Sequence, residues 1–281
     1  MLQIQDPRKN DPRKKDKSTP RHKLERTMLS TVGSYGLIDE GDKILVAVSG
    51  GKDSYTLLDL LEGARRKAPV KFELVAVHLD QVQPGYDGKP LEEWLQASGI
   101  PHEILREDTY SAVMANSGPG GPNEGDAYCR VCSRLRRGIL YDAAEKLGCN
   151  KLALGHHRDD ALETLLMNLF FSGKLQAMPA SYTTNDERYD VIRPMIECGE
   201  SLIAEHAASA GYPILPCNLC GSQTDLKRVR MKKLLEQLEA ESPDVRSVML
   251  AALRNVRPSH LLDREVTEAW LSRAGDYAPR R

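Results

Sequence analysis

Lys43-Ile44-Leu45-Val46-Ala47-Val48 runs directly into Ser49-Gly50-Gly51-Lys52-Asp53-Ser54, and the fold is decided in this stretch. The apolar run is short and has no polar alternation, which is the pattern of a strand buried on both faces of a parallel sheet. The two glycines after it let the backbone approach an anion closely. A helix is expected from about Ser54 to Arg66, and its start offers free amide donors and the positive end of the helix dipole. Ser49 and Ser54 add hydroxyl donors and Lys52 adds a charge, so the turn has the chemistry of a phosphate cradle.

The same alternation continues outward. A second strand is expected over Glu73–His78, a helix over 91–98, a strand over 103–106, a helix over 131–147 and a strand over Lys151–Leu154. Strands alternating with helices imply an α/β fold with a doubly wound parallel sheet. Ligands of such sheets bind at the carboxyl ends of the strands, where His78 and the run Gly155-His156-His157 fall. Upstream, Leu24, Met28, Leu29 and Val32 mark a helix over 24–36. Beyond about residue 200 the pattern is mostly helical, with helices expected at 200–210, 227–240 and 244–255. The expected organisation is a disordered basic arm over 1–23, an α/β domain over 24–199, a helical C-terminal part over 200–262 and a tail over 263–281. The arm is a solvating tail or an electrostatic tether for a phosphate backbone. Residues 81–90 and 117–122 are flexible by composition.

The chain has 281 residues, 41% of them hydrophobic and 28% charged, enough for one large domain or two small ones. No apolar run approaches the roughly 20 residues that span a bilayer. The N-terminus lacks the apolar core of a signal peptide, so a cytoplasmic location is expected. A net charge of −1 excludes a uniformly basic nucleic-acid binder but leaves room for local basic patches.

Six cysteines are present. In a reducing compartment a disulfide framework is not expected. Cys129-Arg130-Val131-Cys132 and Cys217-Asn218-Leu219-Cys220 are both Cys-x-x-Cys, a spacing that brings two thiolates to one metal. The pairs are too far apart for a compact zinc ribbon. They form either a shared zinc or iron–sulfur centre assembled by folding or two separate dithiols. Cys149 and Cys198 stand alone and read as small buried hydrophobes.

The glycine-rich turn is not a Walker A loop, because Val46 and Asp53 stand where Gly and Ser/Thr would be needed. It resembles the PP-loop of the N-type ATP pyrophosphatases, whose pattern is Ser-Gly-Gly-x-Asp-Ser. That resemblance implies an ATP site over Ser49, Gly50, Gly51, Lys52, Asp53 and Ser54; His78, Gly155 and His156, at the carboxyl ends of strands, are further candidate nucleotide contacts. It also implies ATP cleavage between the α and β phosphates, so that the substrate is adenylated and the loop holds the leaving pyrophosphate. Such chemistry calls for Mg²⁺. Asp53 is a candidate ligand, and so are Asp159 and Asp160, whose other reading is helix capping.

Four further segments extend the resemblance: Cys132-Ser133-Arg134-Leu135-Arg136-Arg137-Gly138, Gly155-His156-His157-Arg158-Asp159-Asp160, Pro216-Cys217-Asn218-Leu219-Cys220-Gly221-Ser222-Gln223 and Pro258-Ser259-His260-Leu261. With the loop, they are similar to the tRNA 2-thiocytidine biosynthesis family, the tRNA-cytidine(32) 2-sulfurtransferases, over about residues 24–262. The resemblance implies a [4Fe-4S] cluster on three cysteines only, Cys129, Cys132 and Cys220, with Cys217 a neighbour. It implies 2-thiolation of cytidine 32 in the tRNA anticodon loop through adenylation of its C2 oxygen. Catalytic roles then fall on Lys52, Asp53 and the three cysteines. It further implies a homodimer and a sulfur donor such as a cysteine desulfurase. A zinc-containing PP-loop thiouridine synthetase and a zinc-binding RNA module are the alternatives. Two basic stretches, Arg134/Arg136/Arg137 and Lys227/Arg228/Arg230/Lys232/Lys233, are candidate tRNA phosphate contacts.

Overall fold

The computed structural model describes residues 19–115, 125–215 and 226–273. Among them the order of elements is α1 (Pro20–Tyr35), β1 (Lys43–Ala47), α2 (Lys52–Arg65), β2 (Glu73–Asp80), α3 (Lys89–Ser98), β3 (His102–Arg106), α4 (Thr109–Ala115) and α5 (Gly125–Lys146). There follow β4 (Lys151–Ala153), α6 (Arg158–Phe171), β5 (Ser181–Thr183), β6 (Asp190–Ile192), α7 (Glu200–Ala210), α8 (Leu226–Glu241), α9 (Val245–Arg254), a short 3₁₀ turn at Pro258–His260 and α10 (Arg264–Arg273).

The six strands form one sheet in the order β3-β2-β1-β4-β6-β5. All pairings are parallel except that of the edge strand β5, which runs antiparallel to β6. The apolar run of β1 behaves as a doubly buried strand must. Ile44 and Val46 join a core shared with α1, α2, α3 and α7, while Leu45 faces a second core built on Leu140, Ala143 and Ala144 of α5. Helices therefore cover both faces, and the fold is the expected doubly wound α/β fold. The chain fills the sheet from β1 outward to β3, then returns across β1 to β4. The reversal opens a crevice between β1 and β4 at their carboxyl ends, the place where this architecture binds ligands.

Two boundaries differ from expectation. Helix α1 begins at Pro20, capped by the Thr19 hydroxyl, which accepts from the His22 amide at 3.3 Å. Pro20–Lys23, expected in the arm, are thus helical, and Arg21 pairs with Asp59 of α2 at 3.1 Å. Residues 1–18 of the arm lie outside the described residues. The second difference concerns the domain limit expected near 200. The chain divides between Lys232 and Lys233, because α7 buries Ile203 and Ala207 in the first unit and packs on α1 and α2. The second unit holds the rest of α8, α9, the 3₁₀ turn and α10. There Arg246 is buried and pairs with Glu239 at 2.9 Å, and α10 takes up part of the expected tail. No helix among the described residues is long and apolar enough to cross a membrane.

Candidate active site

The crevice is floored by the loop between β1 and α2. Gly50 takes φ +84°, a conformation that disfavours any side chain. A Cβ there would also stand 3.0 Å from the Leu215 side chain, whose own amide donates to the Gly50 carbonyl at 2.9 Å. Ser54 locks the turn from inside. Its hydroxyl donates to the Gly51 carbonyl at 2.9 Å and accepts from the Ser49 amide at 3.1 Å. Helix α2 then starts on Gly51, with no side chain capping it, and while the Ser54 amide turns back to the Gly51 carbonyl at 3.1 Å, the amides of Lys52 and Asp53 remain available to an anion. Gly155 closes the other wall. A Cβ on it would lie 3.2 Å from the backbone of Asp53 and Ser54, so only glycine lets the end of β4 approach the loop this closely.

A pocket of about 250 Å³ opens on this cradle, lined by Lys52, Asp53, His157, Asp160, Glu163, Glu200, Arg228, Val229 and Lys232. Its charges are interleaved. The Lys52 ammonium lies 3.1 Å from Asp53 and 3.2 Å from Glu200. The other Glu200 oxygen meets Lys232 at 2.9 Å. Arg228 reaches Asp160 at 3.3 Å and Glu163 at 3.2 Å. Burial on its own would raise the Glu200 carboxyl, but the hydrogen bond from Lys232 and the two ammonium charges outweigh it and hold the group down at about 2. Glu163 goes the other way, because its burial outweighs the pull of Arg228. Asp53 Oδ1 is buried without a hydrogen bond among the described residues. The buried imidazole of His157 stands 3.4 Å from Asp160 and 3.7 Å from Asp53.

The residues expected at the site are distributed as follows. Ser49 to Ser54 and Gly155 build the cradle, and Lys52, Asp53 and Asp160 line the pocket. Asp160 also accepts from the His157 amide at 3.0 Å and caps α6. Asp159 is buried away from the pocket lining and accepts from the Glu200 amide at 2.8 Å, fastening the start of α7. His156 takes a hydrogen bond from Arg193 at 3.3 Å, and burial drops its imidazole to about 4. It is His157, not His156, that lines the pocket. His78 is buried at the end of β2. Its Nδ1 donates to the Val48 carbonyl at 2.8 Å, and its Nε2 accepts from the Tyr86 hydroxyl at 2.6 Å, which ties down the loop expected to be flexible.

Of the cysteines, Cys132 is buried near the carboxyl end of β2, with its thiol 3.5 Å from Gln81 Oε1. Cys129 lies one helical turn earlier in α5, where the backbone alone is described. Cys217 and Cys220 fall outside the described residues, as does the stretch 117–122. Cys149 and Cys198 sit in the two cores, where burial pushes the Cys198 thiol up to about 12, so neither offers a thiolate. Six of the nine residues that line the pocket were not expected there: His157, Glu163, Glu200, Arg228, Val229 and Lys232. Glu200 carries no local signal, since only tertiary packing brings the start of α7 to Lys52. Arg228 and Lys232 were read as RNA contacts, although their spacing of four does place them on one helix face.

A doubly wound sheet with Ser-Gly-Gly-x-Asp-Ser cradling its switch point defines the class of PP-loop proteins, and the family model described as a PP-loop domain matches residues 20–213. The tRNA-cytidine(32) 2-sulfurtransferase of Anaeromyxobacter sp. (strain K) is 49% identical over 249 residues, covering 87% of this chain and 84% of the relative. That of Chromohalobacter salexigens is 49% identical over 242 residues, covering 86% and 84%. The chain belongs to the tRNA-cytidine(32) 2-sulfurtransferase family. The U34-tRNA thiolase NcsA from Methanococcus maripaludis, solved with its [4Fe-4S] cluster, shares the fold with a TM-score of 0.63 at 21% identity, covering 84% of this chain and 79% of that one.

Proposed function

We propose that this protein uses ATP to thiolate C2 of cytidine 32 in the anticodon loop of tRNA. The observation that carries the reading is the open, glycine-started cradle at the switch point, with Lys52 facing the pocket, in a chain of this family. The free amides at the start of α2, the Ser49 hydroxyl and the Lys52 ammonium bind the β and γ phosphates, while the Ser54 hydroxyl holds the turn in shape. The C2 oxygen of cytidine attacks the α phosphorus, the bond to the β-phosphate oxygen breaks, and pyrophosphate leaves. A hydrosulfide then attacks C2 and gives up its proton, the C–O bond breaks, and AMP leaves with that electron pair, so that C2 carries sulfur.

The residues present fit Mg²⁺. Asp53 Oδ1, buried without a hydrogen bond among the described residues and 3.1 Å from the Lys52 ammonium, offers one protein oxygen, and Asp160 lies on the same pocket wall. No group of three or more His, Cys, Asp or Glu able to hold a metal occurs among the described residues. This agrees with an ion that takes most of its ligands from phosphate and water. The bound ion would neutralise the departing pyrophosphate. The buried thiol of Cys132, at the same edge of the sheet as the cradle, fits one ligand of a [4Fe-4S] cluster completed by Cys129 and Cys220. Such a cluster, having one iron without a protein ligand, would supply a place for sulfide. A cytoplasmic homodimer served by a cysteine desulfurase completes the reading.

Protein purified without oxygen should be brown with broad visible absorption. tRNA from a deletion strain should lack 2-thiocytidine at position 32 and regain it with this gene but not with its Cys220→Ala variant. A colourless, zinc-loaded protein, or unchanged tRNA in the deletion strain, overturns the proposal.

A further inference from the structure

We infer that Arg228 and Lys232, at the start of α8, form a second cationic wall of the pyrophosphate site, facing the loop across the pocket. The inference rests on the proposed function and assigns two more residues to it. The two side chains are four positions apart and share one face of the helix. Both line the pocket. The exposed cations of the same segment, Lys227 and Arg230, lie on the other side, with Lys227 over the Phe171 ring at 5.7 Å. The basic stretch is thereby divided, one face to the pocket and one left to solvent and RNA.

Glu200 shows what the wall is built to hold. Its two carboxylate oxygens bridge Lys52 of the loop and Lys232 of α8, at 3.2 and 2.9 Å. A carboxylate thus stands between two ammonium groups, the place a bridging phosphate oxygen would take. Pyrophosphate carries more charge and more acceptor oxygens than one carboxylate, so it competes for both lysines and for the Arg228 guanidinium. The pocket, at about 250 Å³, is smaller than the roughly 300–1,000 Å³ of sites for drug-sized ligands. That volume accommodates a diphosphate group.

The test is calorimetric titration of the full chain with inorganic pyrophosphate and magnesium, beside filter binding of tRNA. Lys232→Met and Arg228→Met should each weaken pyrophosphate about tenfold, the order of one charge-assisted contact. Both should leave tRNA affinity within twofold, and Lys232→Arg should keep most of the pyrophosphate affinity. Glu200→Gln, which removes the competing charge, should bind pyrophosphate more tightly, a gain that a purely structural role would not produce. Unchanged pyrophosphate affinity in both Met variants overturns the inference, as does loss confined to tRNA. Wild-type protein that binds no pyrophosphate overturns the proposed function beneath it.

Discussion

Helices α2 and α6 begin at equivalent places, one at the end of β1 and the other at the end of β4, and both first turns border the same pocket. They are finished differently. Helix α2 starts on Gly51 without a side-chain cap and puts Lys52 in its first turn. Helix α6 starts on His157, whose amide is satisfied by Asp160, while the neighbouring Asp159 satisfies the first amide of α7. A helix start carries roughly half a positive charge. At α6 a first-turn carboxylate folds back to cap the helix, whereas at α2 the first-turn Asp53 makes no cap and leaves the helix end open. Two dipoles reach the crevice, and one is kept for an incoming anion. The anion site is therefore a property of what the chain withholds from a helix end as much as of what it supplies.

Breaking the open end should have the largest effect. Lys52→Met removes the cation of the uncapped turn while keeping the length of the side chain. ATP-dependent thiolation should fall about 10²–10³-fold, the usual cost of losing one preorganised group at a developing charge. The melting temperature should stay within a few degrees, because Lys52 is a partly exposed pocket residue and not a core one. Retained turnover would show that the open helix end works without its lysine. At the closed end, Asp160→Ala should instead cost stability, about 1 kcal/mol for the lost cap, measured by denaturant titration. Its effect on turnover should be smaller than that of Lys52→Met. A variant as stable as wild type would mean that the His157 amide does not depend on Asp160.

The open end was legible in the sequence because everything that makes it is local. An apolar strand, two glycines and a lysine follow one another, and the burial of Ile44 and Leu45 in opposite cores repeats the pattern of the run itself. The start of α1 was legible in principle too, as Thr19-Pro20 is a cap followed by a first-turn proline, but the surrounding basic residues masked it. Strands β5 and β6 were not legible. Each has three residues, and in β5 the outer two, Ser181 and Thr183, are exposed, so neither periodicity nor hydrophobicity marks them. Glu200 is the clearest loss. Its partners Lys52 and Lys232 are far away in sequence, and no pattern of types or spacings announces a carboxylate that only packing brings between them. The choice of His157 over His156 is of the same kind, since adjacent residues at a strand end diverge in a way that only the backbone decides.

The smallest expected effect tests whether Glu200 belongs with the open end. Its carboxyl is held at about 2 in the folded protein, against an ordinary value of 4.5. A group whose folded value is depressed stabilises the fold fully above its unfolded value and loses that contribution as the pH falls towards the folded one. Stability should therefore decline between about pH 4.5 and 2 partly through Glu200, and this part of the decline should be absent in Glu200→Gln. The difference should be modest, since the side chain keeps 27% of its surface exposed and solvent screens its two partners. It should shrink further in pyrophosphate, because an anion that takes over Lys52 and Lys232 removes the cause of the depression. An acid limb that is the same in both proteins would mean that the two lysines gain nothing from Glu200, and the carboxylate would then be a bystander to the open helix end, not its resident anion.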